Sequence, residues 1–404
     1  MEMLITSHPW LAAAAALVTV VLGELGRRSF RSRITTLSPP TGYFQHTELV
    51  SLPLSRLGYS DRAAWLMAEM ADLAYYEFER PPAHDQAIAS LLAHEGEFTH
   101  EEAQAFVTGL WQDATSGGQG EEFLASLLAA NGFVLLETFD SADVQGFICR
   151  RAAPDEEPFL VVAFRGSEKK VGDWLTNADA KPREIPEIVG AKVHSGFYRS
   201  IKRVSEQIRN RIALEDANHP DQKPVTVFFT GHSLGGALAL LATALIAPDR
   251  RGACYTFGAP RVANYDFFFH LKTPVYRIVN SADIVPRVPP GLISPLIYYV
   301  LVGLSNLLRP VPFLSDWVSA AARYVDVLKD YRHHGDQRYL TDIVDGRFQD
   351  TRLLVNPPLT DQALWFWKGM LAGITYPVKS HPMSIYRRKL AFLAGERLNM
   401  HHPG

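Results

Sequence analysis

The chain has 404 residues, of which 47% are hydrophobic and 21% are charged, so it can form one large globular domain with extensions. Its 40 basic and 43 acidic residues give a net charge of −3, which argues against bulk nucleic-acid binding. Both cysteines, Cys149 and Cys254, lie in apolar runs, and we expect two buried free thiols. No spacing of cysteine and histidine is typical of a zinc site, so we expect neither a metal nor a cofactor.

The N-terminal segment differs from the rest of the chain. No charged residue occurs between Met3 and Gly23, and arginines follow between positions 27 and 33. About 21 helical residues span roughly 30 Å, the thickness of a bilayer core. Because the positive charge follows the apolar run, the positive-inside rule favours a membrane anchor with the next domain in the cytoplasm. A cleaved signal peptide and a helix docked on the domain are the alternatives.

The domain organisation follows from a linker rich in proline and glycine that ends the N-terminal segment, residues 1–40. We expect one domain over residues 41–404. Helices are predicted over residues 63–78 and 197–213. Strands are predicted over residues 133–138, 144–151, 159–164, 225–230, 253–257 and 275–279. This alternation is typical of an α/β fold with a mostly parallel central sheet and helices on both faces.

The run Gly231-His232-Ser233-Leu234-Gly235 lies between a predicted strand and a stretch of alanines and leucines that favours a helix. A Gly-x-Ser-x-Gly in that context is typical of a nucleophile elbow, where the serine side chain stands at a sharp turn. The glycines lack Cβ atoms, so the strand and the helix can approach closely. We expect Ser233 to be a nucleophile. The amide of Leu234, at a helix N-terminus, is expected to form half of an oxyanion hole.

The acid should follow the serine, because a serine nucleophile needs a base and the base needs an acid to orient it. Asp283 lies in the loop after the last predicted strand, and catalytic groups of open α/β sheets gather at such ends. Asp266 is one rival, and we expect it to cap a helix over residues 264–270. Asp336 is the other, and we expect it in a turn of a hairpin at residues 331–340. The pattern favours Asp283.

Three histidines are candidates for the base. His333 and His334 lie in a strand-like run ahead of a turn, where a histidine is usually structural. His381 precedes a proline, which is favoured at the first position of a helix, so His381 is placed at the N-cap of a helix over residues 383–394. The helix N-terminus disfavours an imidazolium and Asp283 favours it, a balance that suits a base near neutral pH. We expect His381 to be the base.

A second oxyanion donor is expected from the loop after an earlier strand. Ser167 follows the predicted strand 159–164 in an Arg-Gly-Ser run, where its N–H and its hydroxyl can both donate. A plain turn without a catalytic role is the alternative interpretation of this run.

A second uncharged stretch lies between Val288 and Leu308, and its prolines and glycines argue against a spanning helix there. It opens an insertion over residues 287–330, directly after the strand that carries the predicted acid. Two interpretations stay open: a packed insertion, or a lid or interface-binding surface beside the site. Membrane association is expected through residues 3–23 and 289–308.

Several blocks of sequence carry a family resemblance when they are taken in order. They are Ala163-Phe164-Arg165-Gly166-Ser167 with Asp173-Trp174-Leu175, Val193-His194-Ser195-Gly196-Phe197, Gly231-His232-Ser233-Leu234-Gly235-Gly236, Phe257-Gly258-Ala259-Pro260-Arg261-Val262-Ala263-Asn264, Asn280-Ser281-Ala282-Asp283-Ile284-Val285-Pro286 and His381-Pro382-Met383-Ser384-Ile385-Tyr386. With these blocks, over roughly residues 60–395, the chain resembles the class 3 lipase family of α/β-hydrolases, which is related to the fungal triacylglycerol lipases.

The resemblance implies an α/β-hydrolase fold and a site made of a nucleophile, an acid, a base and two oxyanion donors. These are, respectively, Ser233, Asp283, His381, Ser167 and Leu234. The family's lid would fall at residues 168–177, which are short and charged here, with Trp174 as the bulky residue. We expect Trp174 and His232 to bind the substrate.

The expected function is hydrolysis of lipid esters, such as triacylglycerols and other acylglycerols, by a serine carboxylic-ester hydrolase with an acyl-enzyme intermediate. Phospholipase A1-type hydrolysis and acyl transfer to an alcohol use the same triad and stay open. A non-enzymatic interaction protein is a further alternative, against which the occupied catalytic positions argue. We expect membrane association with a cytoplasmic catalytic domain, and secretion is the alternative.

Overall fold

The computed structural model describes residues 43–52, 54, 58–78, 119–141, 143–151, 153, 154, 156–166, 182–219, 223–289, 294–310, 315, 318, 319, 322, 326, 328–341, 351–372 and 380–401. The predicted anchor and the predicted lid at residues 168–177 lie outside these residues, as does part of the predicted insertion. Within the described ranges, no helix combines the length and the apolar character needed to cross a membrane.

The centre of the fold is an eight-stranded sheet. Its strands are β1 (Phe133–Ser141), β2 (Val144–Arg151), β3 (Phe159–Phe164), β6 (Thr226–His232), β7 (Gly252–Phe257), β8 (Val275–Asn280), β9 (Asp336–Leu340) and β10 (Leu353–Val355). They lie side by side in that order, and the strands from β3 to β9 are parallel to one another, whereas the outer pairs are antiparallel. The short strands β4 (Pro182–Glu184) and β5 (Lys192–His194) pair separately. The prediction of a mostly parallel sheet is confirmed.

Helices cover both faces of the sheet, as the sequence predicts. They are α1 (Asp61–Phe78), α2 (Gln119–Ala130), α3 (Ser195–Ala217), α4 (Leu234–Ile246), α5 (Tyr265–Phe268), α6 (Ser294–Leu307), α7 (Leu359–Ala372) and α8 (Met383–His401). Buried residues of α3 and α4 share one hydrophobic core with the sheet. Those of α1, α2 and α8 share the core on the opposite face.

The strand β6 shows how one sequence run serves both cores. All of its residues are buried, which is typical of a central parallel strand covered on both faces. Val227 and Phe229 pack into the core beside α4, whereas Phe228 packs into the core beside α1, because successive side chains of a strand point to opposite faces. The helix α4 is buried from Leu234 to Ala244. The turn between β6 and α4 is therefore held on both sides by packed core.

Two local predictions about the rival acids are wrong. The helix near residue 264 is a single turn, and its cap is Asn264, whose Oδ1 accepts the N–H of Phe267 at 3.2 Å. The Oδ1 of Asn264 also accepts the N–H of Lys192 from β5 at 2.9 Å, so this cap is supported by a contact that only the tertiary fold brings about. Asp266 lies within that turn. Asp336 begins β9, which pairs in parallel with β8, so no hairpin forms at residues 331–340.

Candidate active site

Ser233 occupies the turn between β6 and α4 with φ 56° and ψ −123°, a region that residues other than glycine rarely adopt. Its N–H donates to the carbonyl of Phe257 at 2.8 Å, and its own carbonyl accepts the N–H of Gly236 at 3.1 Å. Backbone strain of this kind persists where the surrounding structure holds it, and it is concentrated at functional sites. The Ser233 hydroxyl is buried and makes no hydrogen bond with any residue that the structure describes.

Glycines allow the backbone segments around this turn to touch. A Cβ on Gly231 would stand 2.3 Å from the carbonyl carbon of Gly235, and a Cβ on Gly235 would stand 2.3 Å from the carbonyl oxygen of Phe164. The end of β3 therefore lies against the first turn of α4. Leu234 is the first residue of α4, and an N–H at that position has no acceptor within its own helix. This is the place that the sequence predicts for an oxyanion donor.

Asp283 lies in the loop after β8 with no exposed surface. Its Oδ2 accepts hydrogen bonds from His381 Nδ1 at 2.8 Å and from the Tyr386 hydroxyl at 2.6 Å. Its Oδ1 accepts the N–H of Val285 at 2.9 Å. A buried carboxylate with three donors is fixed in position and its charge is compensated by hydrogen bonds.

His381 comes directly before Pro382 and α8, as the sequence predicts, and it is 7% exposed. Because Asp283 is an acceptor, the proton of the neutral ring lies on Nδ1 and the lone pair on Nε2. The acid thus sets the tautomer in which Nε2 can take a proton.

The other candidate histidines lie elsewhere. His333 donates from Nε2 to the carbonyl of Pro286 at 2.6 Å, and burial together with Arg277 holds the pKa of its ring well below 6.5. His334 stacks on Phe268 with 4.7 Å between ring centroids. Of the alternatives that the sequence left open, the structure brings His381 to Asp283.

His232 has a different place from the one expected of a substrate-binding residue. Its ring is fully buried, and Nε2 donates to the carbonyl of His381 at 2.8 Å. Nδ1 must then be the acceptor of the neutral ring, and it accepts the hydroxyl of Tyr75 at 2.8 Å. Burial, followed by the neighbouring His381, holds the pKa of His232 well below 6.5, so the ring stays neutral. Both nitrogens are used within the protein, which makes His232 a support for the loop of His381.

Tyr386 is a site residue whose role the sequence did not reveal. Its hydroxyl donates to Asp283 and accepts the backbone N–H of Asn280 at 3.0 Å. Burial and the Asp283 carboxylate raise the pKa of Tyr386 well above 10, so it remains a donor. The sequence carries one signal for this role: Tyr386 lies in the first turns of the helix that follows His381, and therefore at the end of the helix nearest the acid.

Two predicted site residues, Ser167 and Trp174, lie outside the described residues. The chain leading to Ser167 can still be followed up to Gly166. A Cβ on Gly166 would stand 2.4 Å from the carbonyl oxygen of His232. The end of this segment therefore lies against the residue that precedes Ser233. In the part of the chain that the structure describes, no group of histidine, cysteine, aspartate and glutamate could hold a metal ion.

Known proteins resemble this chain in the region that contains these residues. Residues 161–292, which contain Ser233 and Asp283, match the family model described as Lipase (class 3). The secreted mono- and diacylglycerol lipase 1 of Fusarium solani is 37% identical over 136 residues, which cover 32% of this chain and 39% of that protein. A chloroplastic phospholipase A(1) of Arabidopsis thaliana is 34% identical over 151 residues, 32% of this chain and 33% of that protein.

Among solved structures, the lipase of Rhizopus microsporus var. chinensis is similar at 21% identity and a TM-score of 0.40, covering 72% of this chain and 76% of that one. The chain spans only 39% and 33% of the length of the two curated relatives named above. The likeness to the class 3 lipase family therefore lies in residues 161–292 and in the segments aligned with these relatives.

Proposed function

We propose that the protein is a serine carboxylic-ester hydrolase that acts on lipid esters such as acylglycerols. The observation that carries the proposal is the 2.8 Å hydrogen bond between His381 Nδ1 and Asp283 Oδ2, near a strained serine whose hydroxyl has no hydrogen-bond partner among the described residues. These groups are the parts of a nucleophile–base–acid triad. The match of residues 161–292 to the family model Lipase (class 3) supports the same reaction class. The catalytic domain is proposed to extend over residues 41–404.

The proposed reaction has two steps. In the first step, Ser233 Oγ attacks the ester carbonyl carbon while His381 Nε2 takes the hydroxyl proton, and the tetrahedral intermediate collapses as His381 returns that proton to the leaving alcohol. In the second step, His381 takes a proton from water as the water attacks the acyl-enzyme, and the tetrahedral intermediate collapses as His381 returns that proton to Ser233 Oγ and the fatty acid leaves. Asp283 stabilises the imidazolium that forms in each step.

The negative oxygen of each intermediate needs donors. Leu234 N–H, at the start of α4, is the first proposed donor, because a helix N-terminus favours negative charge. Ser167 is the second, and the packing of Gly166 against the carbonyl of His232 supports its position near Ser233. One such donor contributes about 3 kcal/mol to catalysis. Trp174 is retained as a proposed substrate contact in the segment that follows Ser167.

The helix α6 supports a lipid substrate. It has no charged residue over its 14 positions, and Val300, Leu304 and Leu307, on one face, are 60%, 41% and 75% exposed. An exposed apolar stripe of this kind is typical of a protein or membrane contact. We infer that α6, within the stretch 289–308, binds the lipid surface on which the ester resides, and that residues 3–23 anchor the chain there. The arginines after that segment favour a cytoplasmic domain, whereas the name of the Fusarium relative favours secretion.

Phospholipase A1-type hydrolysis is the second candidate function. The alignment with a chloroplastic phospholipase A(1) favours it, since that relative is 34% identical over 151 residues. The same triad would attack the sn-1 ester of a phospholipid in place of an acylglycerol ester. Acyl transfer, in which an alcohol replaces water in the second step, uses the same groups.

The test is covalent labelling and turnover with the full-length chain. A fluorophosphonate probe should label the wild type, and Ser233→Ala should abolish labelling and lower nitrophenyl-ester turnover by at least about 10³-fold. Ser205→Ala is the matched control, because Ser205 is also buried but bonds to Lys202 within α3. A folded Ser233→Ala variant with wild-type turnover would overturn the proposal, and a folded wild type that is not labelled would favour the interaction protein.

The substrate is then assigned with a panel of acylglycerols and phospholipids, presented as monomers and as emulsions. Products are analysed with and without an added alcohol. Release of sn-1 fatty acid from phospholipid alone would select the second candidate, and formation of a new ester with the alcohol would identify an acyltransferase.

A further inference from the structure

Asn280, the last residue of β8, joins the acid and the base of the proposed triad. Its backbone N–H donates to the hydroxyl of Tyr386, which in turn donates to Asp283 Oδ2 at 2.6 Å. Its side-chain Nδ2 donates at 2.8 Å to the carbonyl of Ser380, the residue before His381. Two chains of hydrogen bonds therefore start from one buried residue, which is 1% exposed.

A buried lysine holds the other end of the Asn280 amide. The ammonium of Lys389 donates to Asn280 Oδ1 at 2.6 Å and to the carbonyl of Thr341 at 2.7 Å, and the residue is 0% exposed. Lysine is almost never fully buried, because removing an ammonium from water is costly. The hydrogen bonds of this ammonium, to Asn280 and to Thr341, therefore indicate the role of Lys389.

The ammonium settles which way the Asn280 amide points. Oδ1 must face Lys389, since only an oxygen can accept, and Nδ2 must then face the carbonyl of Ser380. A cation on Oδ1 also polarises the amide, which strengthens Nδ2–H as a donor in a buried network. Lys389 lies three residues after Tyr386 on α8, so the two side chains lie on one face of the helix. From that face, Tyr386 bonds to Asp283 and Lys389 bonds to Asn280.

We propose that Asn280 and Lys389 are positioning residues that orient His381 and Asp283 for the proposed hydrolysis. Neither residue touches the substrate in this scheme. They act by holding the peptide before His381 and the hydroxyl that binds Asp283. The kinetic part of the inference rests on the proposed function, whereas the hydrogen-bond part does not. Misplacement of a catalytic group by about 1 Å can cost about 100-fold in rate, so support of this kind is measurable.

The first test is Lys389→Met in the full-length chain, which keeps the length of the side chain and removes its charge and donors. We expect kcat to fall about 10- to 100-fold with KM little changed. The acid limb of the pH profile of kcat/KM should move to higher pH, because loss of a buried positive charge makes the His381 imidazolium easier to form. The charged or titratable groups linked to this histidine by hydrogen bonds, directly or through Asp283 and Asn280, are Asp283, His232, Tyr386 and Lys389. Lys272→Met, at an exposed lysine on the surface, is the control and should leave kcat and the profile unchanged.

The second test is Asn280→Asp, which covers the case in which Lys389→Met does not fold. The substituted carboxylate would keep an acceptor for Lys389, and the backbone N–H would remain, but the donor to the carbonyl of Ser380 would be lost. Retained folding with a fall in kcat of about 10-fold or more is expected, since the new carboxylate oxygen would face a carbonyl oxygen.

The third measurement needs no substrate. The Nδ1–H proton of His381 in its hydrogen bond with Asp283 is followed by NMR and assigned by its loss in His381→Gln. A changed resonance in either variant supports the positioning role even if the wild type hydrolyses no ester, in which case only the proposed function fails. An active wild type, together with folded variants that keep the kcat, the pH profile and the Nδ1–H signal of the wild type, would overturn the positioning role alone.

Discussion

Gly258 lies directly against the carboxylate of Asp283. It follows β7 with φ 57°, and a Cβ built on it would stand 2.7 Å from Asp283 Oδ2 and 3.1 Å from His381 Nδ1. The preceding residue, Phe257, accepts the N–H of Ser233 at 2.8 Å. The carboxyl end of β7 therefore contacts all three members of the proposed triad: Phe257 bonds to Ser233, and Gly258 packs against Asp283 and His381. These contacts explain how residues so distant in the chain are held together.

Gly258→Ala should damage the site more than the fold. We expect a loss of about 1–3 kcal/mol in the free energy of unfolding from the positive φ, and a larger, about 10- to 100-fold, loss in kcat as the methyl displaces Asp283. Gly190→Ala is the matched control: Gly190 has φ 76°, but its Cβ would lie 3.4 Å from the nearest atom, on Asp266. Chemical denaturation and ester turnover measure both effects, and equal kcat losses in the two variants would contradict the role of the close contact.

Tyr386→Phe should lower kcat by about 10-fold, because Asp283 loses a donor at 2.6 Å and is then held less firmly. The free energy of unfolding should fall by about 1–2 kcal/mol, since the buried N–H of Asn280 loses its acceptor. Tyr255→Phe is the control, because Tyr255 is equally buried but packs against Tyr276 away from the acid. Steady-state kinetics should separate the two, and a Tyr386→Phe enzyme with unchanged kcat would show that the hydroxyl has only a structural role.

Arg387→Met should destabilise the contact between α8 and α1. The guanidinium donates to Glu69 and Asp72, each at 2.6 Å, and stacks on Tyr43 at 4.3 Å. Removing it leaves two largely buried carboxylates, and we expect a loss of about 3–5 kcal/mol in the free energy of unfolding. The control is Lys272→Met, which breaks an exposed ion pair with Asp249 and should change stability by at most about 1 kcal/mol. Equal unfolding midpoints in urea for the two variants would contradict this prediction.

The free energy of unfolding should fall on acidification, because the histidines His232 and His333 are buried in the neutral form. Burial holds the pKa of both rings well below 6.5, so the folded state keeps them neutral. The unfolded chain binds protons at these positions below about pH 6.5, so stability rises with pH up to that value and levels off above it. Urea unfolding at several pH values should show a smaller slope below pH 6.5 for His333→Gln, which keeps a donor for Pro286. Identical slopes for the variant and the wild type would rule out the contribution of His333.

The exposed stripe of α6 should matter for emulsified substrate only. Serine at Val300, Leu304 and Leu307 together should lower turnover of an emulsified long-chain ester, because the stripe loses apolar area that can be buried in lipid. Turnover of a soluble short-chain ester should not change. The control is serine at Val134, Val189 and Leu214, which are 42%, 97% and 48% exposed on other elements. A triple variant of α6 with wild-type turnover of the emulsion would refute lipid binding by this helix.

The sequence was informative where a signal is local. The run from Gly231 to Gly235 predicts the elbow because a tight strand-to-helix turn requires residues without Cβ atoms. Asp283 follows the end of a strand, and His381 precedes the proline that begins a helix, so each candidate stands at the edge of an element. The parallel order of β3, β6, β7 and β8 follows from the same alternation of strands and helices.

Local reasoning failed where a side chain has two distant partners. Asn264, and not Asp266, caps its helix, and the amide of Asn264 also bonds to β5. The strand β9 is not part of the predicted hairpin, because it pairs in parallel with β8, which lies far back in the chain. From its place beside Ser233, His232 is predicted to contact the substrate. Its ring is instead bonded to Tyr75, 157 residues away, and to His381, 149 residues away.

The sequence by itself determined the α/β fold, the resemblance to class 3 lipases and the candidate residues Ser233, Asp283 and His381, because these depend on local turn chemistry and on residue order. Only the tertiary structure brought His381 into contact with Asp283 and surrounded the pair with Tyr386, Asn280 and Lys389. The physical reason is that hydrogen bonds across about 100 residues of chain depend on how the strands and α8 pack, which no local pattern encodes.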